Sequence, residues 1–386
     1  MSEAPAPELT RARLRRDTIE KKRQSGAGLE AVLQARAMAT ISVVGAGMMG
    51  SALCVPLADR GHDVRLIGTP LDAAIVRAVQ TERRHPTLGL ELPANVRCYP
   101  VSELESAAES ADAFVLGVSS AGVGWAAQAL APPLARHARP VLMLSKGLEH
   151  TGEGLSILSD RFRHGLPAAL QAECQPVAVC GPCIAGELAR RVPTVVVFTG
   201  RELGSARRLA EWIETPYYRA VLLADVVGAQ VCAALKNAYA LGVAFAAGLH
   251  QRAHGERGSI ALHNYEAAVF AQALLETRAL VAELGGDPDT VLGLAGSGDL
   301  TVTCNGGRTG RFGALLGLGH STTEAIALMQ GATLECLEVL SVLERALGGP
   351  SPAGLQLGSL PLLSHLIAVG LHGAPVDMPF QDFFRA

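Results

Sequence analysis

The sequence has few aromatic residues and little net charge. Aromatic side chains make up 4% of the 386 residues and charged side chains 18%, whereas 49% are hydrophobic and 42 residues are glycine. The formal net charge is −3, so the chain lacks the strong positive field that attracts nucleic acid or anionic lipid. We therefore expect no nucleic-acid partner, and any anionic ligand must be held by a local cluster of positive groups.

Long apolar runs and an ordered cysteine framework are also missing. No stretch of about 18 uninterrupted apolar residues is present, so no membrane span is predicted. The eight cysteines follow no regular spacing and no secretory signal precedes them, which favours reduced thiols in the cytoplasm. No cysteine–histidine spacing indicates a metal site. We expect a soluble, cytoplasmic protein without a metal.

The apolar pattern divides the chain into three parts. Residues 1–38 combine prolines with a basic run interrupted by acids, which predicts an N-terminal extension. Residues 39–225 contain short apolar runs between helical segments, typical of a parallel sheet with helices on both faces. Residues 226–386 contain only helical patterns. An α/β dinucleotide-binding domain and an all-α substrate domain are predicted, with the ligand cleft between them.

The individual elements are predicted from the same pattern. Strands are expected at residues 41–44, 64–67, 113–116, 140–144, 176–179 and 194–198. Long helices are expected in the last part at residues 227–249, 261–284, 324–347 and 357–369.

A glycine motif follows the first predicted strand and precedes a helical segment. In such a motif the first glycine permits a tight turn, the second lets the backbone approach a pyrophosphate, and the third lets helix and strand pack closely. The helix N-terminus then favours negative charge. The motif predicts a Rossmann-type cofactor site formed by Gly45, Gly47, Met48, Met49 and Gly50.

The residue that would choose between NAD and NADP is not evident. An acid at the end of the second strand would bind the NAD ribose, whereas an arginine would accommodate the NADP phosphate. Here that strand is followed by Gly68-Thr69-Pro70, with Asp72 and Arg65 displaced from the expected position. We expect NAD or NADP as cofactor, with NAD slightly favoured.

Four further segments carry polar residues at places suited to chemistry. Lys146 follows a predicted strand, at the carboxyl edge where such sheets bind ligands. Lys236 and Asn237 lie in an apolar helix, where a lysine is costly to bury unless it is paired or functional. Asp299 begins the third segment, and a glycine-rich basic loop around Arg308 forms the fourth.

Together these segments resemble the NAD(P)-dependent glycerol-3-phosphate dehydrogenases. That family carries GxGxxG, Lys-Gly after a strand, Gly-Pro-x-x-Ala-x-Glu, Leu-Lys-Asn, Gly-Asp-Leu-x-x-Thr-Cys and an arginine loop, in the order found here from about residue 41 onward. The resemblance implies hydride transfer between NAD(P)(H) and the pair sn-glycerol 3-phosphate and dihydroxyacetone phosphate, a step that supplies phospholipid precursors. It also implies a Rossmann domain, a helical domain like that of 6-phosphogluconate dehydrogenase, and a homodimer.

The resemblance also implies roles for individual residues. Lys236 would be the general acid/base, which exchanges a proton with the substrate oxygen, and Lys146 and Asp299 would be its catalytic partners. The implied substrate ligands are Lys146, Asn237, Thr303, Arg308 and Thr309. The implied cofactor ligands outside the glycine motif are Lys146, Ala185, Arg308 and Gln330.

Two positions depart from the family pattern, and two other functions stay open. Thr309 stands where the family has asparagine, and Val118-Ser119-Ser120 replaces the usual Pro-Ser. The alternatives are a related two-domain reductase of another small hydroxy or keto acid, and a catalytically silent NAD-binding sensor. Retention of the charged landmarks favours an enzyme. Cys180-Gly181-Pro182-Cys183 has thioredoxin spacing, but the family motif explains its glycine and proline, so no redox role is predicted.

Overall fold

A computed structural model of the chain describes residues 38–152, 154–255, 262–348 and 354–385. Residues 40–386 form one compact unit. All but the last residue of the predicted N-terminal extension lies outside the described residues. The predicted division of the remainder near residue 225 falls between the last strand and the longest helix described below.

Twelve strands occur in the described part of the chain, and eight of them form one sheet. The strands are β1 (Thr40–Val44), β2 (Asp63–Ile67), β3 (Arg84–His85), β4 (Leu90–Glu91), β5 (Val96–Tyr99), β6 (Ala113–Leu116), β7 (Val141–Met143), β8 (Leu148–Thr151), β9 (Gly154–Ile157), β10 (Val177–Cys180), β11 (Thr194–Thr199) and β12 (Tyr218–Leu223). The sheet order is β12-β11-β10-β7-β6-β1-β2-β5, while β3 pairs with β4 and β8 with β9 in small hairpins.

The predicted parallel sheet is confirmed for six neighbouring strands, β10-β7-β6-β1-β2-β5 in sheet order, and the sheet differs from the prediction at the other edge. Every neighbouring pair between those strands is parallel, whereas β10 and β11 are antiparallel. A parallel return needs a long crossover, usually a helix, and only a four-residue helix separates these two strands. The six strands predicted from apolar runs are all present. The pattern missed the edge strands β5 and β12, in which polar and half-exposed residues interrupt the apolar ones.

Short helices connect the strands of the α/β half. They are α1 (Met48–Asp59), α2 (Ala73–Glu82), α3 (Leu104–Ala108), α4 (Val123–Arg136), α5 (Leu158–His164), α6 (Ala168–Gln171), α7 (Ala185–Leu188) and α8 (Leu203–Ile213). Because β1, β6, β7 and β10 are parallel neighbours, their carboxyl ends meet at one edge of the sheet.

The helical half begins directly after β12. Its helices are α9 (Val226–His254), α10 (His263–Glu283), α11 (Asp299–Cys304), α12 (Gly307–Leu318), α13 (Thr322–Leu328), α14 (Glu335–Leu347) and α15 (Pro361–His372). A single helix predicted over residues 324–347 was wrong. The chain breaks there because Gln330 and Gly331 both adopt left-handed φ angles, +53° and +76°, which end a helix.

Helix α9 is the centre of this half. By length and composition it is the one helix in the described chain that could cross a membrane, but 83% of its most apolar window is buried inside the protein. A helix that is apolar on all sides is expected in a protein core. The surrounding cluster also contains residues of β10 and β11, so the sheet and the helices share one core.

Helices α9 and α12 approach each other through glycines. A Cβ atom on Gly248 would lie 2.0 Å from the Ala314 carbonyl oxygen, and one on Gly317 would lie 2.3 Å from the Phe245 carbonyl oxygen. Only glycine permits backbones this close. This contact holds α12 beside α9, with Arg308 near the start of α12.

Candidate active site

Two partly buried lysines share one buried carboxylate at the carboxyl edge of the sheet. Lys146 Nζ donates to Asp299 Oδ2 over 2.6 Å, and Lys236 Nζ donates to Asp299 Oδ1 over 2.5 Å. Lys146 Nζ also donates to the Gly181 carbonyl oxygen over 3.2 Å. Asp299 is fully buried, while the two lysine side chains are 19% and 13% exposed. We call these three residues the lysine–aspartate cluster.

Each member of the cluster comes from a different element. Lys146 follows β7, Lys236 lies in the middle of α9, and Asp299 is the first residue of α11. A stretch of π-helix, Leu294–Gly298, precedes Asp299, and such a segment is often found at functional sites. The structure therefore brings together the three residues implied as catalytic, although they are separated by up to 153 positions.

The cluster shifts the pKa values of its two lysines in opposite directions. Burial lowers the pKa of Lys236, and the neighbouring Lys146 ammonium lowers it further, against the attraction of Asp299. Burial also acts to lower the pKa of Lys146, but the charge and hydrogen bond of Asp299 outweigh it and raise that pKa. One carboxylate cannot neutralise two ammonium groups in a buried site. Lys236 is therefore the group that can lose its proton and regain it.

A second set of polar side chains includes Asn237, the residue that follows Lys236 in α9. Asn237 follows Lys236 directly, and its Nδ2 donates to Glu335 Oε2 over 2.8 Å. The guanidinium of Arg308 donates to Glu335 Oε1 over 3.0 Å. We call Asn237, Arg308 and Glu335 the anion end of the site. Glu335 was not predicted, because nothing in its local sequence distinguishes it from other acids at a helix start.

The two threonines implied as substrate ligands already hold hydrogen bonds within the protein. Thr303 Oγ1 donates to the Asp299 carbonyl oxygen over 2.7 Å, one turn back in α11. Thr309 is 7% exposed, and its side chain hydrogen-bonds Cys336. That either residue binds substrate stays a prediction.

The glycine motif has the geometry that its three glycines predict. Gly45 has a φ of +112°, and a Cβ on Gly50 would lie 2.2 Å from the Gly45 carbonyl oxygen. Both pack on Gly117, which follows β6 and which the sequence reading missed. By contrast, a Cβ on Gly47 would meet only the Gly117 carbonyl oxygen, at 4.0 Å, among the described residues. Gly47 therefore leaves open the space that a pyrophosphate requires.

This difference between glycines gives a direct test of the cofactor loop. Gly47 has a φ of −66°, which any residue can adopt, so we expect Gly47→Val to fold normally. The valine should weaken NADH binding by about 1–3 kcal/mol, the usual cost of overpacking, or roughly 5- to 150-fold. A fluorescence titration measures the affinity and a thermal melt measures the fold. Gly50→Ala, which has no room, should instead lower the melting temperature. Unchanged NADH affinity in Gly47→Val would refute the site.

Two side chains that the sequence did not reveal support this loop. Asp72 Oδ2 accepts hydrogen bonds from the Ala46 amide, the Thr69 amide and the Thr69 hydroxyl. On the other side, Nε2 of buried His85 lies 3.0 Å from the Ala46 carbonyl oxygen. Asp72 is therefore occupied with the loop itself. Arg65 is likewise engaged, with Asp63 and the Ala107 carbonyl oxygen.

The remaining predicted cofactor residues lie on the α/β half near the loop and, for Gln330, in the helical half. Met48 and Met49 form the first turn of α1, and Ala185 begins α7, which packs on α1. Gln330 is exposed at the break between α13 and α14. Its left-handed backbone is an unusual conformation for a residue other than glycine, of a kind that clusters at functional sites.

The cysteines next to the cluster are poor nucleophiles. Burial raises the pKa of Cys180 to about 12 and that of Cys183 to about 11, so the thiolate needed for disulfide exchange is scarce. Within the described residues, no group of three or more His, Cys, Asp or Glu side chains could hold a metal ion.

Comparisons with known proteins show the family of the chain. Two protein-family models match the chain. The family model described as NAD-dependent glycerol-3-phosphate dehydrogenase N-terminus matches residues 40–205, and the family model described as NAD-dependent glycerol-3-phosphate dehydrogenase C-terminus matches residues 225–378. An NADP(+)-dependent glycerol-3-phosphate dehydrogenase of Archaeoglobus fulgidus is 35% identical over 309 residues, which cover 79% of this chain and 88% of the relative. A glycerol-3-phosphate dehydrogenase [NAD(P)+] of Stenotrophomonas maltophilia is 33% identical, covering 74% and 79%.

Solved structures confirm the fold. A glycerol-3-phosphate dehydrogenase from Coxiella burnetii superposes with a TM-score of 0.74 at 24% identity, covering 89% of this chain and 97% of that one. One from Saccharomyces cerevisiae gives 0.72 at 21% identity, covering 90% and 98%. The predicted combination of a Rossmann-type sheet and a helical second half is thus confirmed, as is the family resemblance. The chain belongs to the NAD-dependent glycerol-3-phosphate dehydrogenase family.

Proposed function

We propose that this protein interconverts sn-glycerol 3-phosphate and dihydroxyacetone phosphate with NAD or NADP, using Lys236 as general acid/base. The observation that carries the proposal is the lysine–aspartate cluster, in which one lysine has a lowered pKa and the other a raised one. Groups with separated pKa values in one site are typical of acid/base catalysis. The nicotinamide of a bound NAD(P)(H) would supply or accept the hydride.

The residues of the cluster divide the work of proton transfer. In the reducing direction the Lys236 ammonium donates a proton to the carbonyl oxygen as negative charge develops on it. In the oxidising direction the neutral Lys236 amine takes the hydroxyl proton. The Lys146 ammonium keeps its charge and stabilises the developing oxyanion. The Asp299 carboxylate accepts a hydrogen bond from each lysine and so keeps the two Nζ atoms close together.

The anion end supports a phosphorylated substrate. A guanidinium offers two parallel donors that match the oxygens of a phosphate, and the buried Asn237 amide adds a third donor. Because Asn237 is next to Lys236 on α9, a phosphate bound here would place the rest of a three-carbon substrate near the cluster. Thr303 and Thr309 complete the proposed ligand set.

The cofactor would lie along the carboxyl edge of the sheet. Its pyrophosphate would rest on Gly45, Gly47 and Gly50 and the first turn of α1, with Ala185 and Gln330 nearby. Lys146 and Arg308 would face both cofactor and substrate. The open space at Gly47 supports this placement.

The proposal also covers domain organisation, location and oligomeric state. We assign residues 39–225 to a dinucleotide-binding domain and residues 226–386 to a substrate domain, after an extension of 38 residues. The eight free cysteines, in agreement with a reducing compartment, support a cytoplasmic location. The family resemblance alone supports a homodimer.

The decisive assay compares substrates. NADH and NADPH oxidation should be fast with dihydroxyacetone phosphate and at background with pyruvate, ketopantoate or no addition. Turnover of a keto acid in preference to the phosphate would favour the alternative reductase. Absence of turnover with every substrate, together with intact NADH binding, would favour a silent sensor.

The phosphate contact predicts a large effect at Arg308. Arg308→Ala should lower kcat/KM for dihydroxyacetone phosphate by about 2–4 kcal/mol, roughly 30- to 1000-fold, because a charge-assisted contact to a dianion is lost. Arg308→Lys should recover part of this, since it keeps the charge and loses the fork. Arg311→Ala, on the same helix, is the charge-matched control. Equal effects of the two alanine variants would mean that only general charge matters here.

A further inference from the structure

Within the anion end, a carboxylate of the protein itself pairs with the donors of Asn237 and Arg308. Glu335 uses both its oxygens there, one for the Asn237 amide and one for the Arg308 guanidinium. These are the two donors that the proposed function assigns to the substrate phosphate. A carboxylate and a phosphate present the same kind of acceptor to a guanidinium fork, so they compete for it.

We propose that Glu335 sets the affinity of this site for phosphate, by pairing with Arg308 and Asn237 until a phosphate group displaces it. The proposal rests on the proposed function, because it takes the anion end as the phosphate end. It assigns to Glu335 the role of weakening the binding of anionic ligands, which Arg308 and Asn237 would otherwise attract.

The exposure of the partners explains how displacement is possible. The Arg308 side chain is 51% exposed and that of Glu335 is 44% exposed, so solvent screens their ion pair and makes it weak. Glu335 can therefore rotate toward water. Asn237 is only 9% exposed, and a buried amide needs an acceptor. A phosphate oxygen would replace the departing carboxylate oxygen as that acceptor.

The position of Glu335 also explains why its charge persists at the site. It is the first residue of α14, where the helix dipole favours a negative side chain independently of Arg308. When rotated away, the carboxylate stays attached to the same helix start, within reach of a bound phosphate. Like charges this close repel. The expected consequence is a weaker hold on phosphate than Arg308 and Asn237 alone would give.

The experiment removes the charge of Glu335 and keeps its shape. Glu335→Gln should tighten the binding of inorganic phosphate to the full chain saturated with NADH, measured by titration calorimetry, on the order of tenfold. The KM for dihydroxyacetone phosphate should fall in the same proportion. Both changes should shrink at high ionic strength, since salt screens exposed charges.

A matched control lies one turn further along the same helix. Glu338 accepts a hydrogen bond from the Ser120 hydroxyl and is paired away from the anion end, so Glu338→Gln should change neither phosphate affinity nor KM. Glu335→Asp, with its shorter side chain, should give an intermediate effect and serves if the glutamine variant folds poorly.

The outcomes separate this proposal from the proposed function. Unchanged or weaker phosphate binding in Glu335→Gln would overturn it and would make Glu335 a residue that orients Arg308 for substrate. Failure of the wild-type protein to turn over dihydroxyacetone phosphate would instead overturn the proposed function. The phosphate titration would still decide the role of Glu335 in that case, because it needs no turnover.

Discussion

Replacing Lys236 by methionine is expected to lower kcat about 10²- to 10⁴-fold, the usual contribution of a general acid/base. Methionine fills a similar volume and leaves Lys146 and Asp299 as a neutral ion pair, so the fold should survive. NADH affinity should stay nearly unchanged, because the lysine belongs to the substrate side of the proposed site. Steady-state kinetics and a fluorescence titration measure the two quantities.

The pH profile of the wild-type protein provides the control for this assignment. Reduction needs the protonated lysine, so its rate should fall as the pH rises through the lowered pKa of Lys236. Oxidation needs the neutral amine, so its rate should rise over the same range. Both transitions should disappear in Lys236→Met. A variant that keeps more than about a tenth of wild-type kcat would contradict the acid/base role.

Replacing Asp299 by asparagine should have the largest effect on stability. The substitution leaves two buried ammonium groups without a counter-ion, and removing one partner of a buried pair costs about 3–5 kcal/mol. Without the carboxylate, the native-state pKa of Lys146 falls below its unfolded value, and that of Lys236, which is already lowered, falls further. The unfolded chain therefore binds more protons, and the stability of the variant should rise with pH toward the ordinary lysine pKa of about 10.4. Chemical denaturation at a series of pH values measures this.

A second substitution tests the cause of this instability. The double variant Asp299→Asn/Lys236→Met removes one of the two unpaired charges and should be more stable than Asp299→Asn at neutral pH. Asp225→Asn offers a comparison at the N-terminus of α9, because Asp225 Oδ2 accepts hydrogen bonds from the Asp287 amide and the Thr290 hydroxyl, which an amide nitrogen cannot accept. Their loss should reduce stability without the pH dependence. Equal stability of Asp299→Asn and the wild type at neutral pH would rule out the shared ion pair.

The anion end and the lysine–aspartate cluster differ in net charge. The cluster combines two lysines with one carboxylate, which favours a developing negative charge on a substrate oxygen. The anion end combines one arginine with one carboxylate and is neutral until Glu335 moves. In the two proposals, different acids act on substrate binding and on proton transfer, Glu335 on the first and Asp299 on the second.

Local sequence was sufficient where one short segment carries the whole signal. The turn at Gly45 and the close approach of Gly50 to the Gly45 carbonyl oxygen lie within one strand–loop–helix unit, and the structure has both, whereas the packing of both glycines on Gly117 joins distant parts of the chain. The buried strands were found because a strand covered on both faces is a continuous apolar run. The order of the landmarks along the chain was enough to identify the family.

The rest required the tertiary structure, because its signals join distant residues. Asp299 is 63 positions from Lys236 and 153 positions from Lys146 in the sequence. No short stretch of sequence therefore contains both ion pairs, and it is within the cluster they form that the pKa values of the two lysines shift in opposite directions. Edge strand β5 lacks the apolar run of a buried strand, and β12 is largely half-exposed although residues 220–223 are apolar, so both are fixed by their neighbours in the sheet. Glu335 is one of many acids in the sequence. Only the contact between α9 and α12 and the break before α14 place it on Asn237 and Arg308.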